Sequence, residues 1–129
     1  MYHYTILYVE DPRSTAEFYK KAFGFTIKFT TPEGDYAELD TGNTTLAFAS
    51  FELGNSNLSG GYIASKPMQK PFGVELAFIT EELEETLKKA LEAGANAVEP
   101  ITAKPWGQNV AYVQDPNGFL IELADPMQG

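Results

Sequence analysis

"YTILYVEDPRSTAEFYKKAFGF", residues 4–25, places a strand directly before a helix. Its opening residues alternate in the manner of a half-buried strand, and Asp11-Pro12 then reads as a helix N-cap with proline in the first turn. Ala16, Phe18, Tyr19, Ala22 and Phe23 recur at helical spacings, and Gly24 stops the helix. "VELAFITEELEETLKKALEAGAN", residues 74–96, follows the same plan. Here Glu75 to Ile79 is the strand, Thr80 the expected N-cap, and the acidic residues after it favour the helix N-terminus, with Gly94 as terminator. Tyr4 to Glu75 is 71 positions and Gly24 to Gly94 is 70, so the chain is written twice.

The repeat continues through the hairpins. "LDTGNTTLAFA" (39–49) lies over "QDPNGFLIELA" (114–124) at an offset of 75, Asp40 over Asp115 and Phe48 over Leu123. Each half therefore predicts strand, helix and three further strands: 26–30, 36–40 and 45–50 in the first, 96–100, 109–114 and 119–124 in the second. Module 1 covers 1–52 and module 2 covers 72–129 of a single domain. The 53–71 stretch, rich in Gly, Ser, Asn and Pro, reads as a flexible connector whose Tyr62, Ile63 and Met68 are candidates to fold over a ligand.

Composition bounds the function. With 129 residues, 43% hydrophobic and 13% aromatic, the chain can bury a real core. A formal charge of −9 argues against nucleic acid and anionic membranes as partners, since both require a basic face. The absence of cysteine excludes disulfides, thiolate metal sites and a cysteine nucleophile. No apolar run approaches the ~18 residues of a membrane span, and the first residues lack signal-peptide flanks, so a cytoplasmic protein is expected.

Strand parity locates a site. In the last hairpin Phe119, Ile121 and Leu123 share one face, while Leu120 and Glu122 share the other. Pairing Gln114 with Phe119 would set Ala111 and Val113 opposite Leu120 and Glu122 on the face without a helix, with Tyr112 packed in the core. By the repeat, Glu122 matches Ala47 and Glu75 matches Tyr4, one position from the first and one from the last strand of each half. Two carboxylates facing one cavity repel each other and lose water, which raises a pKa and suits a general acid or base; equally, the pair attracts a cation. Trp106 in "KPWGQ" and Tyr36 are aromatic candidates for ligand contact. Asp11 and Asp115 have structural work as cap and turn, and "TEELEE" is read as a solvated helix start.

The paired βαβββ pattern, "YVEDPRSTAEFYKKAFGF", "EAGAN", "KPWGQ" and "DPNGFLIEL" together resemble the vicinal-oxygen-chelate superfamily. This group includes glyoxalase I, bleomycin-resistance proteins, fosfomycin-modifying enzymes and extradiol dioxygenases. The resemblance covers nearly the whole chain. It implies an α+β fold of two tandem βαβββ modules forming a cupped mixed sheet, a site often completed by a second chain, and metal ligands at the four positions in metal-dependent members. Here those positions hold Tyr4, Ala47, Glu75 and Glu122, and alanine supplies no donor. No cofactor or metal is therefore expected, with a divalent ion on Glu75 and Glu122 as the alternative. His3, next to Tyr4, should point to the opposite strand face.

The leading expectation is a homodimeric binding protein of the bleomycin-resistance type. It would hold a small organic ligand, cationic or aromatic, against Tyr4, Tyr36, Ala47, Trp106, Ala111, Val113 and Leu120 with Glu75 and Glu122. The alternative is a glyoxalase-type lyase or isomerase with Glu75 and Glu122 as catalytic acid and base or metal ligands.

Overall fold

Asp11 ends one element and starts the next. Its Oδ1 accepts from the backbone N–H of Arg13 (3.1 Å) and of Ser14 (3.3 Å), and Pro12 follows in the first turn. In the computed structural model, which describes residues 1–127, this junction joins β1 (Tyr4–Val9) to α1 (Pro12–Phe23). Gly24 takes the left-handed φ of +77° that the end of α1 requires. Asp11→Ala leaves two helix N–H groups without their acceptor and is expected to cost about 1 kcal/mol by urea denaturation.

The chain divides into two compact units, Met1–Ser65 and Lys66 onward. In the first, β2 (Thr26–Thr30), β3 (Tyr36–Asp40) and β4 (Thr45–Ser50) complete a mixed sheet of order β1-β4-β3-β2, with β1 parallel to β4. Register fixes its faces. Ala37, Leu39, Leu46 and Phe48 are buried on the side that receives α1, and the Phe48 ring lies 5.1 Å from that of Tyr19. The other side carries Tyr4–Thr45–Asp40 and Ile6–Ala47–Glu38–Phe29 as cross-strand rows, and Tyr8–Ala49–Tyr36 as a third.

The segment expected to be a flexible connector opens with a helix, α2 (Phe51–Asn57), started by Ser50 Oγ accepting from the Leu53 N–H at 3.2 Å. Tyr62 lies against this helix. Its hydroxyl donates to the Phe51 carbonyl at 3.1 Å, its ring is 4.8 Å from that of Tyr8, and a Cβ on Gly54 would stand 2.6 Å from it. Glycine at 54 is what permits this approach. Ile63 and Met68 are exposed, and Met68 holds a φ of +64° after Pro67.

The second unit repeats the plan with β5 (Glu75–Ile79), α3 (Leu83–Ala93), β6 (Asn96–Ala103), β7 (Asn109–Gln114) and β8 (Leu120–Ala124), in the order β5-β8-β7-β6. Three expectations need correction. The N-cap of α3 is Glu82, not Thr80; Thr80 Oγ1 instead accepts from the Glu82 N–H at 3.1 Å and pairs with Thr86 Oγ1 at 3.0 Å. β6 runs to Ala103, because an edge strand with irregular pairing tolerates Pro100. The β7–β8 register also differs by one residue. Gln114 pairs with Leu120, so Tyr112 faces Glu122, while Ala111 and Val113 pair with Leu123 and Ile121, all four fully buried.

The cause of the register is Asp115. Its Oδ1 accepts from the N–H of Asn117 (2.8 Å) and of Phe119 (2.9 Å), and its own N–H donates to the Phe119 carbonyl. This clasp draws Phe119 into the turn, with Gly118 at a φ of +96°. Five residues, 115–119, thus separate the paired ends of β7 and β8, against four, 41–44, between Asp40 and Thr45 in the first unit.

Candidate functional site

On the second sheet, the face away from Ile121 and Leu123 carries two principal rows. One reads Glu75–Leu120–Gln114–Asn96, the other Ala77–Glu122–Tyr112–Glu99. Glu75 and Glu122 are thus diagonal neighbours on adjacent parallel strands, close enough for the Glu122 carboxyl to act on that of Glu75. Tyr112 Oη donates to Glu122 Oε1 at 2.8 Å. The result is a chain of three groups, Glu75, Glu122 and Tyr112. Leu120 lies half-buried beside it.

The electrostatics follow from that contact. Lost hydration raises the Glu75 carboxyl above its ordinary value, and the charge and hydrogen bond of Glu122 raise it further. Tyr112 is pushed up to about 12, first by its hydrogen bond to Glu122, then by lost hydration and by the charges of Glu122 and Glu75. Near neutrality the phenol therefore holds its proton and presents it to Glu122. The nearby Glu122 charge favours a proton on Glu75, and the same two acidic side chains can instead face a cation.

At the Glu75 end, the face is bordered by chain. Gln114 Nε2 donates to the Gln69 carbonyl at 2.7 Å and to the Gly118 carbonyl at 2.9 Å, tying the 66–70 turn to β7. Trp106 is at the other end. Its Nε1 donates to Gln108 Oε1 at 2.8 Å, Gln108 is held by the Asp125 carbonyl, and the indole is 55% exposed. Asp125 is three residues past Glu122, roughly 10 Å along the strand, so Trp106 is not brought to the carboxyl pair. An open groove of about 560 Å³ lies at that far end, with Glu81, Glu82, Asn109 and Asp125 on its walls. The Asn109 side chain and backbone N–H hold the Asp125 carboxyl below the usual range.

Ala111 and Val113, expected to line a site, are core residues for the register reason given above. Tyr112, expected in the core, takes their place. On the first sheet Tyr4, Tyr36 and Ala47 do share the face without α1. Ala47 is fully buried, Tyr4 is 42% exposed, and Tyr36 Oη donates to Glu38 Oε2 at 2.6 Å. Tyr36 is raised well above the ordinary phenol value, first by lost hydration, then by Glu38 and by the nearby Tyr4. Glu38, paired with Ala47 across the sheet, escaped the sequence reading because a polar residue alternating with Ala37 and Leu39 looks like any half-exposed strand position. His3 stands edge-on to the Tyr4 ring at 4.2 Å and is exposed.

The donor set does not suit a resident transition metal. At the two positions implied as ligands, the first unit offers a phenol and a methyl group. The second offers two neighbouring carboxyls, of which Glu122 already accepts from Tyr112. Among the described residues, no three His, Asp or Glu side chains converge to hold an ion.

This architecture has known counterparts. YraH of Bacillus subtilis (strain 168), an uncharacterized protein, is 30% identical over 118 residues, 91% of each chain. A glyoxalase-related enzyme from Fulvimarina pelagi superposes with a TM-score of 0.82 at 22% identity, over 98% of this chain and 88% of its own. TioX from Micromonospora sp. ML1 does so with a TM-score of 0.70 at 22% identity, over 97% and 98%. At these identities the two structures speak for the shared fold. The sequence profile that matches residues 2–123 goes further: the chain belongs to the Glyoxalase/Bleomycin resistance protein/Dioxygenase superfamily.

Proposed function

We propose that this protein binds and sequesters a small organic ligand on the open face of its second sheet, in the manner of bleomycin-resistance proteins. The carrying observation is the Glu75–Glu122–Tyr112 chain, which presents acceptors for a cationic or hydrogen-bond-donating ligand. The charge of −9 raises the local concentration of cations and so favours such a ligand. The protein acts in the cytoplasm as a homodimer. Support for the dimer comes from β5, an edge strand flanked by the exposed Val74 and ending in the exposed Ile79, which offers unpaired backbone to a second chain. Light scattering at micromolar concentration should give the mass of two chains; a stable monomer would remove the dimer.

Metal-free bleomycin titrated by calorimetry is the direct test. Saturable binding, lost in Glu122→Gln, supports the reading, and heat no larger than dilution rejects it. Treatment with EDTA followed by dialysis is expected to leave that binding unchanged, since no donor set for a resident metal contributes to it.

A second reading is supported by the raised Glu75 carboxyl, which keeps a proton in a range where an ordinary carboxyl has lost it. Such a group can pass a proton to or from a carbon next to a carbonyl, as a glyoxalase-type lyase or isomerase requires. Turnover of methylglyoxal with glutathione, abolished by Glu75→Gln, would establish that reading over sequestration.

A further inference from the structure

We propose that Asn117 is a self-modification site, where the side-chain amide is lost by cyclisation onto the Gly118 nitrogen, and that the Asp115 clasp withholds this reaction from the folded turn. The reaction involves only the chain and water, and it does not depend on the function proposed above.

The sequence singles out this asparagine. A side chain on the following residue hinders attack by that residue's main-chain nitrogen, and only Asn117 is followed by glycine; the other asparagines precede Thr44, Ser56, Leu58, Ala97 and Val110. In the reaction the Gly118 nitrogen bonds to the Asn117 Cγ, the Cγ–Nδ2 bond breaks, and ammonia leaves with the proton from the attacking nitrogen. Water then opens the resulting cyclic imide at either carbonyl, giving aspartate or isoaspartate. One amide is exchanged for one carboxylate, with no oxidant or reductant involved.

The folded turn holds the nucleophile back. The Gly118 N–H donates to the Asp115 carbonyl at 2.9 Å, and Gly118 is buried at a φ of +96°. On either side of it, the Asn117 and Phe119 N–H groups donate to Asp115 Oδ1 at 2.8 Å and 2.9 Å. Three successive main-chain nitrogens are thereby fixed on one fully buried residue. For Gly118 to attack, its hydrogen bond must break and the Asn117 backbone must turn, which takes local opening of the clasp. The product would not fit the turn as the amide does. Isoaspartate routes the main chain through the former side-chain methylene, lengthening a turn whose residue count sets the β7–β8 register. Either product also adds a negative charge two residues from the buried Asp115 side chain.

The test is incubation of the whole protein in mildly alkaline buffer, folded or in guanidinium chloride, followed by peptide mapping with mass spectrometry and enzymatic methylation to detect isoaspartate. In guanidinium Asn117 should convert ahead of every other asparagine, and the folded protein should convert it at least about tenfold more slowly. Asp115→Ala removes both Oδ1 contacts, so the open turn becomes more populated and conversion in native buffer should speed up about tenfold or more. Asp115→Asn keeps an accepting oxygen and should accelerate conversion less; its new amide precedes Pro116, which has no N–H to attack with. Equal rates for folded and unfolded parent, another asparagine reacting first in guanidinium, or folded Asp115→Ala and Asp115→Asn both converting no faster than the parent would each overturn the proposal. If Asp115→Ala does not fold, the Asp115→Asn arm and the comparison of folded with unfolded parent decide it.

Discussion

Glu122→Gln is expected to weaken binding of metal-free bleomycin about tenfold or more while leaving the fold at least as stable at pH 7. The same substitution removes the charge and accepting carboxylate beside Glu75. The Glu75 carboxyl should then move back toward its ordinary range, but only partway, because lost hydration is the largest cause of its elevation and remains. The effect on stability has a definite sign. A carboxyl raised in the folded state binds more protons folded than unfolded, so stability falls as pH rises from the ordinary carboxyl value through the raised one. Glu75→Gln abolishes that fall and should equal or exceed the parent in stability above the window. Carboxyl-detected NMR titrations of parent and Glu122→Gln, with urea denaturation at pH 4 and pH 7 for Glu75→Gln, check both points. Glu75 titrating alike in parent and Glu122→Gln would dissolve the pair as a unit.

Asp115→Ala should produce the largest stability loss, about 3 kcal/mol. It strips the acceptor from the N–H groups of Asn117 and Phe119 and leaves a hole where a fully buried side chain sat. Asp115→Asn keeps an oxygen in place and should cost roughly half as much. Urea denaturation gives the magnitudes, and hydrogen exchange at Tyr112 and Glu122 should rise more in the alanine variant than in the asparagine one. A loss below about 0.5 kcal/mol in Asp115→Ala would show that the turn holds its length without the clasp.

These two residues also mark where sequence reasoning succeeds and where it stops. The fold was legible because the strand–helix signal of 4–25 recurs at 74–96 with almost no drift, and two independent copies make the pattern hard to mistake. That Glu75 and Glu122 share one sheet face was legible for the same reason, since equivalent positions in a duplicated unit identify each other. Tyr112 was not, because its facing depends on whether the turn holds four residues or five, and the side-chain bonds of Asp115 decide that. The helix start at Leu83 was missed because Thr80 offers a capping hydroxyl that is used two residues early, on Glu82. Trp106 has the chemistry of a ligand contact, but its distance from Glu122 is set by where β7 begins, which no local pattern announces.

Surface turns ordinarily absorb insertions and deletions without consequence, because nothing downstream depends on their length. The 115–119 turn is an exception. Since strand side chains alternate, removing one residue there while keeping β8 in place would exchange the two sides of β7. Tyr112 would go into the apolar interior, and the chain of three proton-bearing groups would be cut. A relative with a four-residue turn at this point could therefore share nearly every strand residue and still display a different surface to its ligand. In this chain the length of one turn thus decides which side chains the penultimate strand shows on its open face.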